Sequence, residues 1–140
     1  MVDRRALIVD DDPSNCAIWE LVLNDRGYAV QIAGDLASGY EALDSATSLF
    51  LVDYHLPDGP GSQLIAYIKE NLPESIILVV SMDDDADVIR EAIHAGGNVF
   101  IVKPASPTVM NQILTEIESG TLDTSVRQLI NRNGRRTYAA

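Results

Sequence analysis

Four short apolar runs in this 140-residue chain end in side chains able to handle a phosphoryl group. Leu7-Ile8-Val9 runs into Asp10-Asp11-Asp12, and Leu49-Phe50-Leu51-Val52 into Asp53. Ile77-Leu78-Val79-Val80 runs into Ser81, and Phe100-Ile101-Val102 into Lys103-Pro104. Each run is too short for a helix and apolar enough for a buried strand. In an open α/β sheet, ligands bind beyond the carboxyl ends of the strands, so one crevice receives an acidic cluster, a hydroxyl and an ammonium. Two carboxylates about 4 Å apart repel by roughly 4 kcal/mol at an effective dielectric near 20. Gathering Asp10, Asp11 and Asp53 therefore calls for a divalent cation. An all-oxygen site with room for water suits Mg²⁺ best and Mn²⁺ second. Cation, hydroxyl and lysine together position a phosphoryl group and neutralise its equatorial oxygens, and Asp53 is the candidate carboxylate nucleophile. The chemistry suggested is transfer to or from an aspartyl-phosphate.

The elements that must position these groups alternate. Strand patterns at about 6–9, 29–33, 49–52, 76–80 and 99–102 are each followed by a helical pattern, which predicts an α/β, doubly wound parallel sheet. Asp12 and Pro13 start the first helix as cap and first turn. It runs to about Arg26-Gly27 with Ile18, Leu21 and Val22 as its apolar stripe. Asp35 caps a second helix to about residue 46, with Leu36, Tyr40 and Leu43 inward. The third covers about 62–71, and the fourth starts within 83–87 and stops at Gly96-Gly97. Ser106-Pro107 opens the fifth, which runs to about 119 with Val109, Ile113, Leu114 and Ile117 buried. Residues 1–119 thus form one domain. Residues 120–140 read as a basic tail or linker, with room for one short helix around Val126, Leu129 and Ile130.

Charge sharpens that division. The net charge is −11, made of −14 over residues 1–119 and +3 over the tail, by count of Lys, Arg, Asp and Glu. So acidic a body argues against direct nucleic-acid binding by the domain. The single Cys16 has no internal partner for a disulfide, which fits a reducing cytoplasm. No apolar run approaches the ~20 residues of a membrane helix, so no membrane partner is expected.

With these four stretches in order, the chain resembles the receiver domains of two-component response regulators over about residues 4–119. The resemblance rests on 6–13 (ALIVDDDP), 51–59 (LVDYHLPDG), 79–81 (VVS) and 100–104 (FIVKP). It implies a flavodoxin-like five-stranded sheet of order 2-1-3-4-5 with five helices. It further implies a phosphohistidine donor, on a sensor histidine kinase or a histidine phosphotransfer protein, that phosphorylates Asp53. Asp11, Asp53 and the His55 backbone carbonyl fall on the direct metal ligands, and Asp10 on the acid that binds through water. Ser81 falls on the switch hydroxyl, Lys103 on the phosphate-pairing lysine, Phe100 on the switch aromatic, and Pro104 on a cis peptide. Partners, either a downstream protein or an output domain, would read a face made by the fourth helix, fifth strand and fifth helix. Such a domain is a switch with no turnover substrate.

Some residues depart from the family pattern. Met82 stands where Ala or Gly is usual, and Asp83 adds a negative charge, so both are expected to modulate access to Asp53. Phe100 lacks a hydroxyl. Asn98 replaces an acid that winged-helix members use in dimer contacts. Three rival readings follow from the same residues. A haloacid-dehalogenase-type phosphatase would use Asp10 as nucleophile but leaves Asp53 and Lys103-Pro104 unexplained. A pseudo-receiver would keep the fold without phosphorylation. A flavodoxin is disfavoured because three aspartates would repel the flavin phosphate.

Overall fold

The computed structural model describes residues 4–139. Five parallel strands form the core of the sheet: β1 (Arg4–Val9), β2 (Tyr28–Ala33), β3 (Leu49–Asp53), β6 (Ile76–Ser81) and β7 (Val99–Val102). Between β3 and β6 lies a two-residue strand pair, β4 (His55–Leu56) and β5 (Gly59–Pro60). Five helices alternate with the core strands: α1 (Pro13–Asp25), α2 (Leu36–Glu41), α3 (Ser62–Asn71), α4 (Ala86–Ala95) and α5 (Pro107–Ser119). The core order β2-β1-β3-β6-β7 is the doubly wound order that the resemblance implies.

Period-two alternation divides each strand between two apolar layers. Ala6, Ile8, Leu51, Leu78 and Ile101 face the layer containing Trp19, Ile113 and Leu114. Leu7, Val9, Phe50, Val52, Val79 and Phe100 face the one containing Leu64 and Ile68. Covered on both faces, β3 is buried along its whole length, and its only charged residue is Asp53.

Two helices differ from expectation. In α1 the buried side chains are Cys16, Trp19, Val22 and Leu23, while Ile18 lies exposed and Leu21 is 71% exposed. Burying the largest side chain of the helix, Trp19, turns the Ile18–Leu21 stripe outward; full burial of Trp gains more than that of one aliphatic side chain. The second helix ends at Glu41 rather than near 46. There the Asp44 carboxylate accepts from Ala46 N–H at 2.8 Å and its carbonyl from Thr47 N–H at 3.0 Å, a local turn that competes with the helix ladder. Tyr40 packs edge-on against Tyr67 and stays partly exposed.

The larger correction concerns residues 120–140. Where a basic tail or linker with room for a short helix was expected, the chain adds two strands, β8 (Arg127–Ile130) and β9 (Arg136–Ala139). β8 pairs in parallel with β7, Phe100 opposite Leu129 and Ile101 opposite Ile130; β9 returns antiparallel to β8. The sheet therefore has seven strands, and β7 is not an edge. The intervening turn is built by Asn131, whose Oδ1 accepts from the N–H groups of Asn133 and Arg135. Gly134 supplies the positive φ of 76°. Arg136 forks onto Glu116 of α5 at 2.6 and 2.7 Å. Docking is not perfect: Gln128 is buried, and its Oε1 finds no partner among the described residues, a cost of about 1–3 kcal/mol. Among the described residues, no helix is long and apolar enough to cross a membrane.

Candidate functional site

Each strand delivers its polar residue to the same end of the sheet. Asp10 and Asp11 follow β1, Asp53 closes β3, Ser81 closes β6 and Lys103 follows β7. Carboxylate oxygens of Asp10, Asp11 and Asp53 all lie within 4.8 Å of one another, and Asp11 is exposed while the other two are buried. This is a donor set that could hold a hard divalent cation, with Asp11 open to solvent for water ligands. Lys103 Nζ lies 2.9 Å from Asp10 Oδ2 and 2.9 Å from Asp53 Oδ2.

Local hydrogen bonds orient the acids. Asp10 Oδ1 accepts from Asp12 N–H at 2.9 Å, and Asp10 Oδ2 from Asn15 Nδ2 at 2.6 Å. Asp53 Oδ1 accepts from His55 N–H at 3.0 Å. Behind Asp53, Gly61 N–H donates to the Tyr54 carbonyl at 2.6 Å. A Cβ on Gly61 would stand 2.1 Å from the Asp53 carbonyl oxygen, so only glycine lets the loop before α3 close against the end of β3.

Burial raises the Asp53 carboxyl from its ordinary value to about 6, with the Asp10 charge adding to the rise and the Lys103 ammonium opposing it. Burial alone would depress the Lys103 ammonium; its bonds to Asp10 and Asp53 outweigh that and hold its pKa above the usual lysine value. Beside them, burial pushes the Cys16 thiol up to about 11, with Asp10 adding to the rise. Cys16 thus stays a protonated packing residue whose Sγ donates to the Asp10 carbonyl at 3.4 Å.

The remaining residues singled out from the sequence fall around this centre. Ser81 is fully buried, and its Oγ accepts from Asp83 N–H at 3.0 Å. Met82 is 68% exposed at the rim. The exposed His55 imidazole, to which no chemistry was given, approaches Asp83 with Nε2 at 3.5 Å from Oδ2. The Lys103–Pro104 peptide is cis. Phe100 is fully buried in the layer under α3 and α4, and Leu129 of β8 packs on that layer. Asn98 is buried and accepts from Ile77 N–H at 2.8 Å, so it serves the strand start.

Three contacts escaped the sequence reading. Asn15 orients Asp10. Tyr54 Oη and Ser62 Oγ both donate to Glu91 of α4, tying the residue after Asp53 to that helix. Arg132, in the turn between β8 and β9, donates from Nη2 to the Met82 carbonyl at 2.9 Å. Only the last had a sequence signal, since Asn133-Gly134 between β-prone runs is a hairpin mark.

Comparison with known proteins gives a consistent result. The family model for the response regulator receiver domain matches residues 6–115. The transcriptional regulatory protein CitT of Halalkalibacterium halodurans is 30% identical over 116 residues, covering 79% of this chain and 50% of CitT. The chemotaxis protein CheY of Thermotoga maritima is 30% identical over 118 residues, covering 81% of this chain and 97% of CheY. This chain spans about half of CitT and 24% of the response regulator PilR of Pseudomonas aeruginosa. Among solved structures, a CheY-like receiver domain protein from Methanospirillum hungatei superimposes with a TM-score of 0.71 at 26% identity, covering 88% of this chain and 97% of that one. A response regulator from Burkholderia pseudomallei, solved with a phosphorylated aspartic acid and a calcium ion, gives 0.70 at 25% identity, covering 84% and 72%.

Proposed function

The chain belongs to the response regulator receiver domain family, and from that premise we propose that Asp53 accepts a phosphoryl group from the phosphohistidine of a sensor histidine kinase or a histidine phosphotransfer protein. One observation carries the assignment: three carboxylates converge within 4.8 Å while one buried ammonium sits 2.9 Å from both Asp10 and Asp53. The relative with a phosphorylated aspartic acid supports the same chemistry.

Asp11, Asp53 and the His55 backbone carbonyl would hold Mg²⁺ directly, and Asp10 through water, with Mn²⁺ as a substitute. When bound, the cation neutralises the charge that gathers on the phosphoryl oxygens in the transition state. Asp53 attacks phosphorus in line as the phosphoramidate bond breaks, and the electron pair leaves with the donor imidazole. Lys103 moves its ammonium from a carboxylate–carboxylate bridge to a bridge between Asp10 and the new phosphate. Ser81, already beside the site, turns its hydroxyl proton toward that phosphate. Phosphorylation adds about −1.5 to −2 charges, and this change is the signal. Met82 and Asp83 stand at the rim as modulators of access by water and donor. Residues 1–119 make the receiver unit, and the strand pair is an addition to it. A downstream protein or an output domain would read the face made by α4, β7 and α5, which here includes β8 because β8 covers the edge of β7. The domain transfers phosphate only to and from itself.

Intact-mass spectrometry after incubation with acetyl phosphate and Mg²⁺ tests this reading. The wild type should gain one phosphoryl group, and Asp53→Ala should gain none. Steady phosphate release that survives Asp53→Ala and disappears in Asp10→Ala would favour the phosphatase instead. An unmodified wild type with no Mg²⁺ binding would favour the pseudo-receiver.

A pH dependence follows from the raised Asp53 carboxyl. Proton and cation compete for the same oxygens. Below about 6 the metal-free site holds a proton on Asp53, so Mg²⁺ affinity should fall by up to tenfold per pH unit as pH drops below that value, and flatten above it. Calorimetric titrations from pH 5 to 8 check this; an affinity constant across pH 5–7 would refute the shift.

A further inference from the structure

The β8–β9 hairpin lies outside the matched residues 6–115, yet it touches the site. Parallel pairing with β7 aims the end of β8 toward the same carboxyl edge that bears Lys103, and the chain continues through Asn131 to Arg132. From there the exposed Arg132 side chain crosses back over the end of β7 to the Met82 carbonyl, 2.9 Å away. Met82 follows Ser81, whose strand neighbours that of Asp53. Adjacent strands are about 4.8 Å apart, so the Met82 carbonyl that Arg132 holds lies just past the end of the strand beside that of Asp53. The surrounding rim is acidic, with Asp11, Asp83 and Asp84 all outside the Lys103 bridges. Arg132 is the cation that the fold adds to this rim.

We propose that Arg132 is a positioning residue for the phosphorylated site and that hairpin docking and Asp53 phosphorylation stabilise each other through it. The inference rests on the receiver reading above. Two consequences give the coupling its sign. Phosphate adds negative charge to the end of the sheet where the Arg132 guanidinium holds the Met82 carbonyl, so the phosphorylated state holds the turn more tightly against the Met82–Asp83 segment. Conversely, a docked Arg132 fixes the Met82 carbonyl and so the segment that follows Ser81, the hydroxyl that must meet the phosphate. The two effects are equal in free energy because linkage is reciprocal. The hairpin is suited to respond. It is anchored beside the turn by the Arg136–Glu116 fork, while in the middle of β8 the Gln128 Oε1 is left without a partner among the described residues.

The test uses the full chain with Mg²⁺ and beryllium fluoride, an acyl-phosphate mimic, and reads hydrogen exchange at the amides of residues 128–130. In the wild type, beryllium fluoride should slow exchange there about tenfold. In Arg132→Gln the slowing should vanish, and beryllium fluoride affinity should fall by about the same factor. Arg132→Lys, which keeps the charge, should retain part of the coupling. Arg135→Gln is the control: it is exposed in the same turn and its side chain makes no hydrogen bond or ion pair among the described residues, so both effects should persist. Raising salt to about 0.5 M should shrink the wild-type coupling, since the Debye length falls well below 10 Å. Beryllium fluoride binding that leaves hairpin exchange unchanged, or a full response in Arg132→Gln, overturns the inference and leaves the receiver reading standing. A wild type that binds no beryllium fluoride and gains no phosphoryl mass overturns both.

Discussion

Lys103→Ala is expected to lower the stability of the metal-free protein by about 3–5 kcal/mol near pH 7.5, the usual consequence of removing one partner from a buried ion pair. For a domain of this size that displaces the melting temperature by roughly 10 °C or more. The reason lies in what remains. Asp10 and Asp53 are 2% and 6% exposed, and Lys103, at 7%, is the ammonium between them. Without it, two carboxylates share a buried crevice with no counter-charge. The deficit should shrink in two ways: on adding Mg²⁺, and on lowering the pH, since without the Lys103 ammonium that holds it down the Asp53 carboxyl takes up a proton at a pH above its value of about 6 in the unaltered protein. Phosphoryl uptake should slow by about a hundredfold or more, the scale for losing one transition-state charge partner. Thermal melts with and without Mg²⁺ at pH 5 and 7.5 decide the matter. A melting shift under about 3 °C, or one that Mg²⁺ leaves unchanged, would contradict this account of the ammonium.

The second large effect is expected from one methyl group. Gly61→Ala forces a Cβ to within 2.1 Å of the Asp53 carbonyl oxygen and 3.1 Å of the Tyr54 Cα. Both are backbone atoms, so no side chain can turn away to make room. The end of β3 must move, at a cost of about 3 kcal/mol, and Asp53 moves with it. Displacements near 1 Å in such a site cost about two orders of magnitude in rate. We therefore expect a lower melting temperature together with at least tenfold weaker Mg²⁺ binding and slower phosphorylation. Gly34→Ala is the matched control, because a methyl there meets nothing within 4 Å. Equal behaviour of the two variants would show that the close approach at Gly61 is unimportant.

What was legible in the sequence, and what was not, divides along a physical line. Asp10, Asp11, Asp53, Ser81 and Lys103 were readable as a group because each terminates an apolar run, and a parallel sheet brings strand ends together whatever the connecting helices do. The caps Asp12 and Ser106 were readable because they act on neighbours two or three residues away. Gly61 was not, since its constraint comes from Asp53, eight positions earlier in the chain, and no local pattern records a backbone approach. In α1 two apolar stripes competed at helical spacing, and only the packed structure decides that Trp19 goes in while Ile18 and Leu21 stay out. The hairpin is a different case: Asn133-Gly134 is a turn signal, but the segment's excess of arginine and the spacing of Val126, Leu129 and Ile130 suggested a basic tail with room for a short helix. Arg136 shows why that was misleading, because its charge is spent on Glu116.

By covering β7, the hairpin also determines which backbone groups remain free to recruit other chains. A sheet edge is a template for unwanted pairing, and the β7 run Val99–Val102 is apolar at every position and buried, the composition most prone to aggregate when laid bare. In this fold the outer edge is instead β9, four residues long, opening with Arg136 and facing solvent with Thr137 and Tyr138. Shortness and charge are the features by which sheets protect their margins. The hairpin thus shields the β7 edge independently of any signal, and removal of residues 121–139 would leave the outer backbone groups of β7 unpaired.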